Sequence, residues 1–147
     1  MASSVVRPRG DAWHSVVRAV RGRKMHRTPG LFDEFAAAFQ FPEYFGENWD
    51  AFEECLSDLE WLPREAGYVL VVTDPAEVLQ ECPADFEVLV RVLGDAVTEW
   101  ATPIETGAWW DRPPVPFNVV LATEPSSKDT VADRWQRPGV NLENLGS

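Results

Sequence analysis

The order of elements along the chain predicts an α/β domain with a three-stranded, mainly parallel sheet and about four helices. Three short runs of β-branched and apolar residues are separated by two long stretches with helical periodicity. Parallel strands need long crossovers, usually helical, so this alternation favours parallel pairing. A chain of 147 residues, 45% of them apolar, suits one domain with a hydrophobic core. We therefore expect a single layer of sheet packed by helices.

The first strand and the first helix are predicted near the start of this domain. Residues 14–20 are rich in valine and are followed by Gly22, a pattern typical of a short strand. From about Leu31 to Gln40 the apolar residues recur at helical spacing. Asp33 and Glu34 are expected in the first turn of this helix, where the helix dipole stabilises negative charge.

A second helix, after Asn48 as its expected N-cap, is both amphipathic and strongly acidic. Its apolar positions recur at helical spacing and are expected to face the core: Phe52, Cys55, Leu56 and Leu59. The segment from Glu43 to Glu60 contains seven carboxylates and no Lys or Arg. Like charges one turn apart, such as Asp50 and Glu54, cost about 0.2–0.5 kcal/mol per pair. Helix stability therefore does not explain this face, which is either a solvated charged surface or a site for a cationic partner.

The second half of the chain supplies two more strands and two more helices. Tyr68–Thr73 is a continuous apolar run, typical of a strand that is buried on both faces. Asp74 and Pro75 resemble an N-cap and first helical residue that open a short helix to about residue 81. A longer helix is predicted from Pro83 to about Trp100, and the third strand at residues 117–122. The core stripe of the longer helix comprises Phe86, Leu89, Val90, Leu93, Val97 and Trp100.

The domain is expected to span residues 12–123. Residues 101–116 are rich in proline around a Trp-Trp pair at 109–110, which predicts a loop insertion. We interpret the tryptophan pair as a packed anchor of this loop, with an exposed contact surface as the alternative. Residues 1–11 form an N-terminal extension. Residues 124–147 are polar and aperiodic, so we expect a mobile C-terminal tail.

Composition and charge argue against several functions. A formal net charge of -11 disfavours nucleic acid as a ligand, because affinity for phosphates comes from Lys and Arg. The sequence has no apolar run of about 18 residues, and its start lacks the apolar region of a signal peptide. We expect a cytoplasmic protein that binds neither nucleic acid nor membrane. Cys55 and Cys82 form no CxxC pair, so both are expected to be free thiols.

Catalytic, cofactor and metal sites are not indicated. Glycosidases need two acids that face each other across a cleft, whereas the acids here share one helix face. Neither an EF-hand spacing nor a glycine-rich phosphate loop is present. His14 and His26 accompany no nucleophile motif and are expected to be structural or solvated. We expect no enzymatic activity, no cofactor and no metal; a hydrolase or a divalent metal site built from the same acids is the weaker interpretation.

The segment around the second helix resembles the barstar family of ribonuclease inhibitors. Residues 42–56 match the pattern Pro-x-Tyr-Phe/Tyr-Gly-x-Asn-x-Asp-Ala-Leu/Phe-x-x-Cys-Leu. The resemblance implies a barstar-like fold over most of the chain, with a three-stranded parallel sheet and four helices. It also implies an immunity protein that blocks the active site of a basic ribonuclease or nuclease toxin, with carboxylates in the place of RNA phosphate.

The same resemblance implies a set of partner-binding residues: Tyr44, Gly46, Asn48, Asp50, Glu53, Glu54 and Asp95. Asp50 and Glu54 would bind Arg, Lys or His of the nuclease, and Tyr44 would cover its catalytic pocket. Asp95 is the nearest counterpart of an acid that the family carries on its last helix. The best-studied member of the family has tryptophan and aspartate where this chain has Glu53 and Glu54, so the preferred nuclease is expected to differ. The alternative function is a regulatory or protein-interaction domain that has this fold without inhibiting a nuclease.

Overall fold

The computed structural model describes residues 15–63 and 67–137 and contains three strands and four α-helices within those ranges. The elements are β1 (Val16–Arg21), α1 (Thr28–Phe39), α2 (Trp49–Asp58), β2 (Tyr68–Thr73), α3 (Pro83–Ala101), β3 (Phe117–Ala122) and α4 (Lys128–Trp135). His14, the N-terminal extension of residues 1–11 and residues 138–147 of the predicted tail lie outside the described residues.

The three strands form one parallel sheet in the order β1-β2-β3, which confirms the predicted α/β fold. Val16, Tyr68 and Phe117 lie side by side in register and are buried in the core. Because strand side chains alternate between faces, these residues mark the face on which the helices pack. Helix α1 contacts β1 and α3 contacts β3. On the opposite face, Val17 of the edge strand β1 is half exposed.

An aromatic cluster joins α1 to α2 and fixes the loop between them. Its members are Phe32, Phe35, Phe39, Phe41, Phe45, Trp49, Phe52 and Trp61. The ring of Phe35 lies 4.9 Å from that of Phe52, and Phe32 lies 5.1 Å from Trp49. Each fully buried large apolar side chain contributes about 1.5–3 kcal/mol. The loop of residues 40–48 therefore rests on a densely packed base, which positions the start of α2.

Helix α1 begins three residues before the predicted start at Leu31. Thr28 is its first residue and Pro29 occupies the first turn, where a missing N–H costs nothing. Gly30 lies in this turn because the backbone approaches closely: a Cβ there would lie 2.4 Å from the carbonyl oxygen of Lys24. Gly30 is thus required by close packing inside the helix.

The earlier start changes the role of two acids. Asp33 and Glu34 lie beyond the first turn, so the prediction that they complement the helix dipole there was wrong. Glu34 instead accepts two bonds from the guanidinium of Arg21 in β1, at 2.5 and 3.1 Å. These bonds hold the pKa of Glu34 below its ordinary value. The ion pair attaches α1 to the end of β1.

The helix predicted after β2 is only a 3-10 turn at Pro75–Glu77. Asp74 has a φ of 45°, in the left-handed region, and its side chain makes no cap bond. The backbone after this turn does not continue the helix, because the Leu79 N–H donates to the carbonyl of Met25 at 2.7 Å. Pairing with the segment after β1 replaces helical bonding here.

The predicted mobile tail was wrong for residues 125–135, which form a 3-10 turn and α4. Val131 and Trp135 lie one turn apart and are both buried. The indole of Trp135 donates to the carbonyl of Pro75 at 3.1 Å, and its ring meets Phe86 edge-on at 4.9 Å. The four α-helices are therefore not the four predicted, because α4 takes the place of the short helix after β2.

The loop between α3 and β3 also differs from the expectation. Trp109 is 90% exposed and Trp110 53% exposed, so the packed-anchor interpretation of this pair was wrong. Val97, expected in the core stripe of α3, is 37% exposed. Within the described ranges, no helix has the length and apolar character needed to cross a membrane.

Candidate functional site

Helix α2 has one buried face and one acidic face. Its apolar stripe is buried as expected, at Phe52, Cys55, Leu56 and Leu59. Asp50 and Glu54 are exposed, whereas Glu53 and Asp58 are half-buried at the flanks. Burial raises the pKa of the Cys55 thiol, and the charges of Glu54 and Asp58 raise it further. This arrangement keeps the Cys55 thiol neutral on the core side and exposes the carboxylates of Asp50 and Glu54 on the solvent side.

Gly46 and Asn48 build the turn that starts α2. The Asn48 side chain accepts a bond from the Ala51 N–H at 2.8 Å and donates to the Gly46 carbonyl at 3.2 Å. The first bond is the predicted N-cap. A Cβ at Gly46 would lie 3.0 Å from the Asn48 amide nitrogen, so a larger residue would press on the cap. Gly46 and Asn48 therefore stabilise the turn before α2, and this turn positions Asp50 in the first turn of the helix.

Tyr44 lies in the loop before α2 and is 70% exposed. Partial desolvation raises the pKa of its hydroxyl most, followed by the charge of Asp58, with smaller contributions from Cys55, Glu60 and Glu54. These neighbours belong to the second half of α2 and the residues just after it. The exposed ring therefore lies near the acids of this half of α2, Glu54 and Asp58.

A shared cation links the acids of α2 and α3. The Arg91 guanidinium lies 3.2 Å from Asp95 and 3.7 Å from Glu53. The side chains of Arg91 and Asp95 are more than half exposed and that of Glu53 is 38% exposed, so each ion pair contributes about 1 kcal/mol or less. Asp95 thus lies next to the acidic face of α2, on the neighbouring helix. Sequence reasoning did not assign a role to Arg91.

Glu99 is a further acid at this surface that sequence reasoning missed. Its carboxylate accepts a hydrogen bond at 2.9 Å from the hydroxyl of Ser57 in α2. Glu99 follows Asp95 by four residues, so both lie on the same side of α3. That spacing was the available signal, but the contact with α2 depends on how the two helices pack.

The structure brings five of the predicted site residues into one acidic surface, and the other two support it. The surface carboxylates and hydroxyl are those of Tyr44, Asp50, Glu53, Glu54 and Asp95. Within the described part of the chain, Asp50 and Glu54 form no ion pair, and Arg91 is the basic residue that pairs with an acid of α2. Residues 15–63 and 67–137 contain no group of three or more His, Cys, Asp or Glu that could hold a metal ion. The arrangement is suited to binding cationic groups.

Comparison with known proteins agrees with this geometry. A family model described as "Barstar (barnase inhibitor)" matches residues 15–122. The matched range runs from the start of β1 to the end of β3 and includes the whole acidic surface, whereas α4 lies beyond it. A search of the curated proteins returned no match.

Proposed function

The chain belongs to the barstar (barnase inhibitor) family, and we propose that it inhibits a small microbial ribonuclease or nuclease toxin by covering the active site of that enzyme. The acidic face of α2 and the loop of residues 40–48 form the inhibitory surface. Their carboxylates take the place of RNA phosphate. Inhibition is steric and electrostatic, and the chain performs no reaction.

The observation that carries this proposal is a pair of exposed carboxylates on a fixed helix, those of Asp50 and Glu54, which form no ion pair with any residue that the structure describes. Asp50 and Glu54 lie one turn apart, a separation of about 5–6 Å between Cβ atoms. Enzymes that cleave RNA hold its phosphates with Arg, Lys and His side chains, and these groups form strong charge-assisted bonds with carboxylates. Because α2 is packed on the aromatic cluster, its acids are presented without a large loss of freedom on binding.

The neighbouring residues have distinct roles in this proposal. Tyr44 supplies an aromatic ring that fills the catalytic pocket, since a rigid ring buries much area at low entropy cost. Glu53 and Asp95 add negative charge at the flank, where Arg91 is exchanged for a cation of the enzyme. Gly46 and Asn48 hold the turn in place.

The partner is a basic protein and not a nucleic acid, because the same negative surface repels phosphate. An inhibitor that protects cellular RNA must act where that RNA is, so we place this protein in the cytoplasm. Charge complementarity is expected to speed encounter with the enzyme and to set specificity.

The test is a titration of RNA cleavage. A fluorogenic RNA is cleaved by a panel of small microbial ribonucleases, guanyl-specific ones among them, with increasing amounts of the chain. We expect stoichiometric inhibition that weakens as salt is raised. Glu54→Gln should slow capture and weaken inhibition, whereas Asp133→Asn, the same loss of charge on the exposed side of α4, should leave both unchanged. Failure of the folded chain to inhibit any enzyme of the panel would contradict the proposal and favour the regulatory alternative.

A further inference from the structure

The loop between α3 and β3 contains an ordered hairpin, here called the Trp hairpin and defined as residues 104–112. Ile104 and Arg112 exchange two backbone hydrogen bonds, at 2.9 and 3.1 Å. The Asp111 carboxylate closes the turn by accepting bonds from the N–H and the hydroxyl of Thr106, at 3.0 and 2.6 Å. These bonds, that of the Thr106 hydroxyl above all, hold the pKa of Asp111 below its ordinary value. The hairpin has a defined conformation of its own.

Arg112 attaches this hairpin to the end of α3. Its guanidinium donates to the carbonyls of Trp100, Thr102 and Glu99, each at 3.1 Å. It also lies over the Trp100 ring, 4.5 Å from the ring centre. Because the guanidinium binds backbone carbonyls of the same chain, it stabilises the position of the hairpin on α3.

At the tip of the hairpin two indoles are exposed side by side. The rings of Trp109 and Trp110 meet edge-on, with centroids 5.5 Å apart. The other exposed large apolar residues of the described chain are Val17, Tyr44 and Val97. Tryptophan is mostly buried in folded proteins, and a pre-ordered exposed pair is typical of a contact surface. Neither indole contributes the core packing that would explain its presence.

The hairpin is continuous with the acidic surface through α3. Glu99 accepts a bond from Arg112 at its carbonyl and from Ser57 of α2 at its carboxylate. The Trp100 indole donates to the Leu56 carbonyl of α2 at 2.8 Å. The base of the hairpin is therefore fixed to the second half of α2, the half that also lies near Tyr44.

Charge indicates the kind of partner that this region accepts. Between residues 92 and 127 the only basic residue is Arg112, whereas the same stretch includes the acids Asp95, Glu99 and Glu105. A negative surface with exposed indole faces suits a basic protein, because Arg and Lys side chains stack on tryptophan rings.

We propose that the Trp hairpin is a second contact for the same ribonuclease that the acids of α2 bind; this inference rests on the proposed function. The two indoles pack against apolar and cationic side chains beside the active site of the enzyme. Short-range aromatic contacts act mainly on the lifetime of a complex, whereas long-range charge acts mainly on its rate of formation. The two parts of the interface therefore have separable kinetic effects.

The experiment uses a ribonuclease that the full chain inhibits in the titration above. It measures the rates of association and dissociation of the two proteins at two salt concentrations. The double variant Trp109→Ser, Trp110→Ser should dissociate roughly tenfold faster or more, with its association rate and salt dependence unchanged. Glu54→Gln should instead lower the association rate and its salt dependence. Val17→Thr, at an exposed apolar position on β1, should behave as the unchanged chain.

Three results would overturn the inference. Unchanged dissociation of the double tryptophan variant, alongside normal binding of the unchanged chain, would remove the hairpin from the interface and leave the proposed function intact. Unchanged dissociation together with a change in sedimentation would identify a second copy of this chain as the partner of the indoles. Absence of ribonuclease binding by the unchanged chain would refute the proposed function and this inference together.

Discussion

Replacing Trp135 with alanine should strongly destabilise the fold, because this residue is one of the two buried side chains that pack α4 on the domain. The side chain is buried, donates a hydrogen bond to the Pro75 carbonyl and packs edge-on against Phe86. One turn earlier, Val131 is the other buried residue of α4. Removal of the indole leaves a helix of eight residues with little buried surface.

The expected loss is about 3–5 kcal/mol, the range for truncating a buried aromatic residue to alanine. The lost hydrogen bond accounts for about 0.5–1.5 kcal/mol of this value. No further cost for an unsatisfied acceptor is expected, because the Pro75 carbonyl also accepts from Arg134 at 3.0 Å. At this chain length each kcal/mol lowers Tm by about 2–4 °C, so the expected decrease is about 6–20 °C.

Urea unfolding followed by far-ultraviolet circular dichroism measures this loss. Trp135→Phe should cost less than Trp135→Ala, because it keeps most of the packing against Phe86. Trp109→Ala makes the same change at an exposed tryptophan and should alter the free energy of unfolding by no more than about 0.5 kcal/mol. Equal stability of the Trp135→Ala and Trp109→Ala proteins would refute the packing of α4 described here.

Three further predictions concern the cap, an ion pair and the site. Asn48→Ala should cost about 1 kcal/mol in urea unfolding, whereas Asn48→Asp keeps a capping oxygen and should cost less. The folded-state pKa of Glu34 is lowered by Arg21, so its contribution is present above the unfolded pKa and lost as pH falls through the folded pKa. Glu34→Gln should therefore lower unfolding midpoints near neutral pH more than in acid; an equal effect at both would contradict the ion pair. Asp58→Asn should lower the pKa of Tyr44, because the charge of Asp58 raises it. Tyrosinate absorbance measures this pKa, with Tyr44→Phe as the reference. An unchanged pKa would show that Tyr44 does not lie near the acids of α2.

Local patterns predicted the elements with the strongest periodicity or the clearest ends. β2 is a continuous apolar run between Gly67 and Asp74, and the predicted and observed strands coincide at Tyr68–Thr73. The N-cap of α2 was also identifiable, because Asn is one of the preferred capping residues and Asn48 directly precedes an amphipathic segment. In these places the sequence pattern and the tertiary structure favour the same conformation.

The features that sequence reasoning missed depend on contacts between distant segments. Helix α4 is short and mostly polar, and it is stabilised by the burial of Val131 and Trp135 and by the bonds of Arg134 and Trp135 to the turn after β2. The Trp-Trp pair at 109–110 looked like a core anchor because tryptophan usually is one. The anchor is instead Arg112, whose carbonyl partners become neighbours only when α3 and the hairpin are in place.

The candidate site likewise has a part that one helix determines and a part that depends on the packing of two helices. The acidic face of α2 could be read from one helix, because all its members share that helix. The contribution of α3 could not be read fully, since Arg91 and Glu99 reach α2 only through the packing of the two helices. The family resemblance suggested Asp95 through the order of elements, but it carried no information on the neighbours of this residue.

The most direct test of the central claim is competition between this chain and a mononucleotide for one ribonuclease. If the carboxylates of α2 occupy the phosphate site, the two ligands exclude each other. The apparent Kd for the chain should then rise in proportion to nucleotide concentration, without a plateau, and nucleotide should leave the enzyme as the chain binds. An apparent Kd that does not change when the enzyme is saturated with nucleotide would contradict the account, because the chain would then bind away from the phosphate site.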